Sequence, residues 1–560
     1  MVAMHVLSAA EMQACDRATT ERFGIPSIQL MRAASSAVAA FVREHFPIAR
    51  RVTVLCGRGN NGGDGMMAAR LLADAGLAVT TLLLGAPEQL AGDAAVAWTE
   101  LNSPKRGKVH IVANAQALEQ HINALDADLI VDAVLGTGFK PPLKGLALAA
   151  REWLQRSHAP TLAVDLPSGW PADETSATVA GPVFPADAVI TFTAPKCAHV
   201  FGQLTRRWDQ PVVVAPIGSP DEAIVSALRL DWAGSSLSLP QAPRPAASNK
   251  GNFGHVLVVG GTFGTAGGKA GAPAMTSLAA LRVGAGLVTA AVPAPALQVV
   301  SSFAPELMTW PLAPTRAGQI SAKNLEKKQI ASLIAGKTVL AIGPGLGQGA
   351  ETARFVTGLL GATTMPAVID ADALNILAAK PALLKRLAKG RFVALTPHPG
   401  EMARLAGITI ADVRANRLET ARDFAKRMGV TLVLKGARTL IAHPDGRVAI
   451  NTSGNPGMAK GGSGDLLTGL IAGLLAQYPH NHAQAVEAAV YLHGLAADLA
   501  VHQSDEHTLL ATDSLSQLAR AFQSHAHDFD ANGKTGYVWL QGHCVQWDNC
   551  AATALDEVQR

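Results

Sequence analysis

Apolar positions along this chain alternate between two spacings. Short unbroken runs rich in Val, Leu and Ile read as buried strands: Arg51-Val-Thr-Val-Leu-Cys56, then 78–84, Leu129-Ile-Val131 and Thr161-Leu-Ala-Val164. Between them, apolar residues recur three and four apart, which is one face of a helix. Ser8-Ala-Ala-Glu11 is a capping-box pattern that opens such a helix, and Gly24-Ile-Pro26 breaks it. Further helices are expected over 27–44 and 66–75. The alternation resumes with His255-Val-Leu-Val-Val259 and runs through Leu340-Ala-Ile342, Ala367-Val-Ile369 and Val433-Leu434. The longest apolar helix pattern follows Gly461-Gly-Ser-Gly-Asp465. Strands alternating with helices place the fold in the α/β class.

A chain of 560 residues is too long for one core, so two domains are expected. Ser235, Ser236, Ser238, Pro240, Pro243 and Pro245 crowd one stretch, which reads as a linker. The expected division is 1–235, 236–522 and a C-terminal extension of unknown role over 523–560. In that extension His525, His527, His543, Cys544 and Cys550 fit no standard zinc spacing, so it reads as peripheral.

Composition narrows the class further. Hydrophobic residues make up 49% and charged residues 16%, which is globular rather than disordered. A net charge of +4, no basic tract and only 3 Tyr argue against a nucleic-acid partner. Five scattered cysteines without a CxxC pair suit a reduced, cytoplasmic chain. Asp16, Arg17, Glu21 and Arg22 interrupt any signal-peptide pattern. The longest uncharged apolar run, 466–477, is too short to span a membrane.

The candidate chemistry sits where strands end. The first strand runs into Gly57-Arg-Gly-Asn-Asn-Gly-Gly-Asp-Gly65, whose glycines let backbone N–H groups approach a ligand. Asn60, Asn61 and Asp64 add amide and carboxylate groups to that loop. Two more strands end in an acid and a turn: Asp132, leading to Gly136-Thr-Gly138, and Asp165-Leu-Pro-Ser168-Gly169. In a doubly wound parallel sheet such ends converge on one crevice. Asp132 and Ser168 could offer hard oxygen ligands to a cation, leaving Asp165 for proton transfer. In the second half, Gly461 to Gly464 at a helix start make an anion site. Asp465 there is either a cap or a general base.

Asn60-Asn-Gly-Gly-Asp64-Gly, Val131-Asp-Ala-Val-Leu-Gly-Thr-Gly138 and Val164-Asp-Leu-Pro-Ser-Gly169 resemble the YjeF N-terminal family of NAD(P)HX epimerases. The resemblance implies a Rossmann-like domain in which Asn60, Asn61, Gly62, Gly63 and Asp64 hold the dinucleotide. It places K⁺ on Asn61, Asp132 and Ser168, and makes Asp165 the substrate-contacting acid/base. The loop Gly136, Thr137, Gly138, Phe139, Lys140, Pro141, Pro142 would close over the nucleotide. Leu30-Met-Arg-Ala-Ala-Ser35 departs from the family, which usually has an acidic residue and Asn after Leu-Met.

Thr396-Pro-His-Pro-Gly-Glu401 and Asn455-Pro-Gly-Met-Ala-Lys-Gly-Gly-Ser-Gly-Asp465 resemble the YjeF C-terminal family. These are ribokinase-like, ADP- or ATP-dependent NAD(P)HX dehydratases. The resemblance implies that Ala272, Gly345, His398 and Asp465 line the hydrated nicotinamide nucleotide. Lys435, Gly436, Ala437, Arg438, Thr439 and Gly464 would hold the adenine nucleotide, with Mg²⁺ on its phosphates. Phe263 to Lys269 is longer than the usual loop at that place. The implied substrates are NADHX, NADPHX and ADP or ATP, with a homo-oligomer expected. One alternative is a ribokinase-like vitamin or sugar kinase with an N-terminal binding domain. Another is a catalytically silent N-terminal scaffold.

Overall fold

The computed structural model describes residues 4–102, 107–264, 267–524, 527–529 and 535–542. They pack as two compact units, one of residues 4–228 with the tail strands and one of residues 229–524.

The first unit carries seven parallel strands: β1 (Arg51–Cys56), β2 (Ala78–Leu84), β3 (Lys108–Val112), β4 (Leu129–Ala133), β5 (Thr161–Val164), β6 (Ala188–Phe192) and β7 (Val212–Ala215). Their order is β3-β2-β1-β4-β5-β6-β7. Alternate residues of β1 face opposite cores. Val52, Val54 and Cys56 pack with Phe41, Met66 and Leu72, while Leu55 packs with Leu82, Ile130 and Trp153. Burial on both faces explains why these strands read as unbroken apolar runs. The sequence order reverses between β1 and β4, so a crevice opens at their C-terminal ends. This is the expected Rossmann-like arrangement.

Among the described residues, the main sheet of the second unit includes β8 (Leu230–Trp232), β9 (His255–Val259), β10 (Leu287–Pro293), β11 (Met308–Leu312), β12 (Val339–Ile342), β13 (Ala367–Ile369), β14 (Val393–Leu395), β15 (Thr431–Leu434), β16 (Leu440–Ala442) and β17 (Val448–Ile450). Their order is β8-β17-β16-β15-β14-β13-β12-β9-β10-β11, antiparallel only where β16 meets its two neighbours. The α/β class expected for this half is what the strands and helices form. The helix Ser463–Gln477 crosses the helix Gly271–Arg282 very closely. A Cβ on Gly469 would stand 2.1 Å from the Thr276 carbonyl oxygen, so glycine is required at the crossing.

Two expectations about domain bounds need correction. The boundary lies at 228/229, not near 235. The reason is β8, which pairs with β17 before the Ser/Pro-rich stretch begins and buries Trp232 completely. The described part of the tail, 527–529 and 535–542, is also not peripheral. β18 (His527–Phe529) and β19 (Thr535–Gln541) extend the first unit's sheet, with Trp539 opposite Val213 on β7. Trp539 is buried, and the Tyr537 hydroxyl donates to the Ala37 carbonyl at 2.8 Å. The Tyr537 ring meets Phe41 edge-on at 5.4 Å. His525, His543, Cys544 and Cys550 lie outside the described residues, as does the side chain of His527. Thr265 and Ala266, within the Phe263–Lys269 loop, also lie outside them; the loop's flanks pair as a short antiparallel ladder.

Burial of this indole predicts that Trp539→Ala destabilises the first unit by about 3 kcal/mol, through lost burial and a residual cavity. Denaturant unfolding followed by loss of that unit's activity measures it. A change under about 0.5 kcal/mol would show that the tail strand adds nothing to this core.

Candidate active sites

In the first unit the helix expected from residue 66 begins at Asn60 and runs to Asp74. Gly62 makes this possible: a Cβ there would stand 1.9 Å from the Gly57 carbonyl oxygen. The first helical turn therefore sits directly above the end of β1, with its unpaired N–H groups facing the crevice.

That crevice is a cavity of about 1030 Å³. Its wall includes Asn60, Asn61, Asp64, Gly136, Thr137, Gly138, Phe139, Lys140, Pro142 and Asp165. Gly62 and Gly63 lie beneath the wall, packed on Gly57 and Met31, and Pro141 belongs to the loop but not to the wall. Leu30, Met31 and Ala34, from the helix whose sequence departs from the family pattern, also line the cavity.

Asp165 follows β5 with φ 65, a left-handed conformation that costs a non-glycine residue about 1 kcal/mol or more. Its Oδ2 accepts from the Thr137 N–H at 2.6 Å and the Thr137 hydroxyl at 2.7 Å. Its Oδ1 accepts from Lys196 Nζ and the Thr191 hydroxyl, both at 2.9 Å. Burial works against ionisation here, but the Lys196 charge and the Thr137 bonds hold the carboxyl well below its usual range. The Asp165 carbonyl oxygen accepts from His199 Nε2 at 2.7 Å, while His199 Nδ1 accepts the Lys196 N–H. Those two partners fix the tautomer, and burial pushes His199 down to about 4, so the ring is neutral. Asp64 moves the opposite way: burial, then the Asp165 charge, push it well up.

Asp132 and Ser168 lie behind this wall, fully buried. The Ser168 N–H and hydroxyl donate to Asp132 at 2.8 and 2.6 Å, and the Val134 N–H at 3.2 Å. Burial pushes Asp132 up to about 6. The Ser168 hydroxyl is also 3.2 Å from the Leu135 carbonyl oxygen. Asn61 reaches the same turn, its Oδ1 standing 3.0 Å from where a Gly136 Cβ would be. Carboxylate, hydroxyl, carbonyl and amide oxygens are the donor set of a hard cation, so these residues fit K⁺.

The second unit's site is organised around Asp370, at the end of β13. Lys435 Nζ stands 3.0 Å from its Oδ1, and the Thr468 hydroxyl donates to its Oδ2 at 2.9 Å. Lys435 is also 4.0 Å from Glu401. Burial lowers the Lys435 pKa, but Asp370 and Glu401 outweigh it and the pKa is raised. Gly464 borders this lysine: a Cβ there would stand 3.4 Å from Nζ. Asp465 lies in the first turn of the helix Ser463–Gln477, whose cap is Gly462 with no side-chain bond. Its carboxyl is therefore not the helix cap. Burial first, and the Asp370 charge next, push Asp465 up to about 6.

The other expected residues fall around this centre. The Thr276 hydroxyl donates to the carbonyl oxygens of Ala272 and Asp465, both at 3.0 Å, tying the two segments together. Gly345 neighbours Ala272, with a hypothetical Cβ 3.3 Å from the Ala272 methyl. His398 caps the helix Pro399–Ala406, its Nδ1 accepting from the Gly400 and Glu401 N–H groups. Gly436, Ala437, Arg438 and Thr439 form the turn after β15, held by Arg417 donating to the Ala437 and Arg438 carbonyls. The Arg438 side chain donates to the Thr452 carbonyl at 2.9 Å.

Sequence reasoning missed Lys196 and gave no role to Asp370, Glu401 or Thr468. Lys196 could have been found, because Thr193-Ala-Pro-Lys196 follows an apolar run, Ala188–Phe192, as a further strand end.

Residues 27–198 match the family described as YjeF-related protein N-terminus, and residues 256–520 match the NAD(P)H-hydrate dehydratase family. A bifunctional NAD(P)H-hydrate repair enzyme Nnr from Moorella thermoacetica is 42% identical over 525 residues, covering 91% of this chain and 95% of that one. The enzyme of the same name from Escherichia coli is 35% identical over 531 residues, covering 93% and 94%. A crystal structure of ADP/ATP-dependent NAD(P)H-hydrate dehydratase from Bacillus subtilis, co-crystallized with ATP/Mg²⁺, is 32% identical. It covers 51% of this chain and 96% of that one, with a TM-score of 0.42. With identity of this order along nearly the whole of both relatives, the chain belongs to the family of bifunctional NAD(P)H-hydrate repair enzymes.

Proposed function

We propose that the two units divide one repair. The first interconverts R- and S-NAD(P)HX, with Asp165 handling the proton. The second dehydrates S-NAD(P)HX to NAD(P)H at the expense of ADP or ATP, with Asp465 as base. The observation that carries the second assignment is the uncapped, raised carboxyl of Asp465 at a helix start beside Lys435.

The chemistry follows from a poor leaving group. Hydroxide does not leave readily, whereas phosphate does once the hydroxyl has been phosphorylated. Asp465 accepts the hydroxyl proton as the oxygen attacks the terminal phosphoryl group, whose anhydride bond breaks to release AMP from ADP or ADP from ATP. The N–H groups of Gly461 to Gly464, with the helix start behind them, stabilise the transferring charge. The ring nitrogen lone pair then expels phosphate to leave an iminium, and loss of a proton from the adjacent ring carbon restores the ring double bond. Lys435, held by Asp370 and Glu401, presents a fixed positive charge to the nucleotide. Among the described residues no cluster of three or more acidic, His or Cys side chains could hold a metal. Mg²⁺ would neutralise the charge of the nucleotide phosphates.

In the first unit, the helix start at Asn60 and the Gly136–Pro142 loop hold the dinucleotide over Asp165. Asn61, Asp132 and Ser168 would hold K⁺, which would balance the buried Asp132 charge and set the shape of the Leu135–Gly136 turn.

Asp465→Asn should lower the dehydration rate about 1000-fold while nucleotide affinity changes less than about threefold. In the unmodified enzyme, dehydration kcat/KM should fall about tenfold per pH unit below about pH 6, because the base becomes protonated. Near-normal dehydration by the Asn variant would remove Asp465 as base. Accumulation of a stable phosphorylated product instead of NAD(P)H would favour the small-molecule kinase.

Replacing K⁺ by choline should slow epimerisation without slowing dehydration. An unchanged epimerisation rate would take the ion out of the account.

A further inference from the structure

Lys196 is the least exposed charged side chain facing the first cavity, at 2% exposure. A buried lysine needs partners for three protons. Here they are Asp165 Oδ1 at 2.9 Å, Thr191 Oγ1 at 2.7 Å and the Phe192 carbonyl oxygen at 3.5 Å. Thr191 accepts from Lys196 and passes its own proton to Asp165 Oδ1 at 2.9 Å. On the other oxygen, Thr137 donates both its N–H and its hydroxyl. Four donors thus meet the roughly four lone-pair sites of one carboxylate. They come from the ends of two strands, β4 for Thr137 and β6 for Thr191 and Lys196, which flank β5 on either side, so the carboxylate plane is set by the sheet rather than by its own strained residue.

We propose that Lys196 is a positioning residue of the epimerase site. Its buried ammonium, with Thr191 and Thr137, fixes Asp165 as an ionised and oriented proton acceptor. The inference rests on the assignment of Asp165 to the epimerisation proton.

The surrounding charges support it. The titratable groups facing Asp165 are Lys196, His199, Asp16 and Asp64. Burial lowers His199 to about 4, so it brings no charge at neutral pH. Burial pushes Asp16 up, and Asp64 well up, so both oppose a second negative charge nearby. Lys196 is then the cation that lets Asp165 stay ionised. Without it, a buried carboxyl beside two other acids binds a proton and can no longer accept one. Thr137 belongs to the Gly136–Pro142 loop, so the same donor set ties the loop's entry to the charge state of Asp165.

The test follows epimerisation of R-NADHX by the full chain with excess dehydratase, ADP and Mg²⁺, read at 340 nm from pH 5.5 to 9. The unmodified enzyme should be flat between pH 6 and 8. Lys196→Met should lose about 100-fold in kcat/KM at pH 7 and regain about tenfold per pH unit on going up, as Asp165 deprotonates. Lys196→Arg keeps the charge and should restore a flat profile. A folded Lys196→Met variant with a flat profile, whatever its level, would overturn the proposal, since lost structure alone does not move a pKa. If the Met variant does not fold, Thr191→Val decides. It keeps the ammonium but removes one donor, and should move the acid limb upward by a smaller step; no movement overturns the proposal. Asp165→Asn separates the two levels. If it still epimerises at the normal rate, the assignment of Asp165 fails. If it is inactive while the Lys196 and Thr191 variants show flat profiles, the lysine proposal alone fails.

Discussion

A carboxylate buried at the end of a parallel strand keeps its charge only if donors surround it, and both units are built around that requirement. Asp165 has an ammonium, two hydroxyls and a backbone amide. Asp370 has Lys435 and the Thr468 hydroxyl. Asp132 has only hydroxyl and amide donors and is pushed up to about 6, which is the setting for an added cation. The donors come from neighbouring strand ends and helix starts, so the charge state of each acid depends on the whole sheet being in register. That coupling explains why the functional groups sit where they do: only at the C-terminal edge do strand ends and helix N-termini meet.

The second recurring constraint is close backbone approach. Gly62 lets the Asn60 helix start directly above β1, and Gly469 lets the Asp465 helix cross its neighbour at contact distance. In each unit a glycine-rich segment serves two purposes. It leaves N–H groups of a helix start at the strand end, and it anchors the helix carrying an acid or amide into the core. A larger residue at either glycine would push the helix, and the site with it, off the sheet.

Much of this was legible in the sequence and some was not, for physical reasons. Buried parallel strands give long apolar runs, so β1, β2, β4 and β5 and the acids that end them could be read directly. The helix start was misplaced by six residues because Asn-Asn-Gly-Gly has low helix propensity, and packing against Gly57 overrides it. The short strand β8 carries too few residues to show a period, so the linker was placed after it rather than before. The pairing of Trp539 with Val213 joins segments more than 300 residues apart, and nothing in a local pattern encodes it. The acids were visible, but their pairing was not: Lys196, legible as a further strand end, and Thr191 meet Asp165 only through the fold.

One chain with both activities should restore NADH from both epimers of its hydrate. Absorbance at 340 nm with the whole protein, a mixed-epimer NADHX sample, K⁺, Mg²⁺ and ADP or ATP tests it most directly. Complete recovery of NADH is expected. Recovery that stops at the S-epimer fraction, or no recovery with either nucleotide, would contradict it.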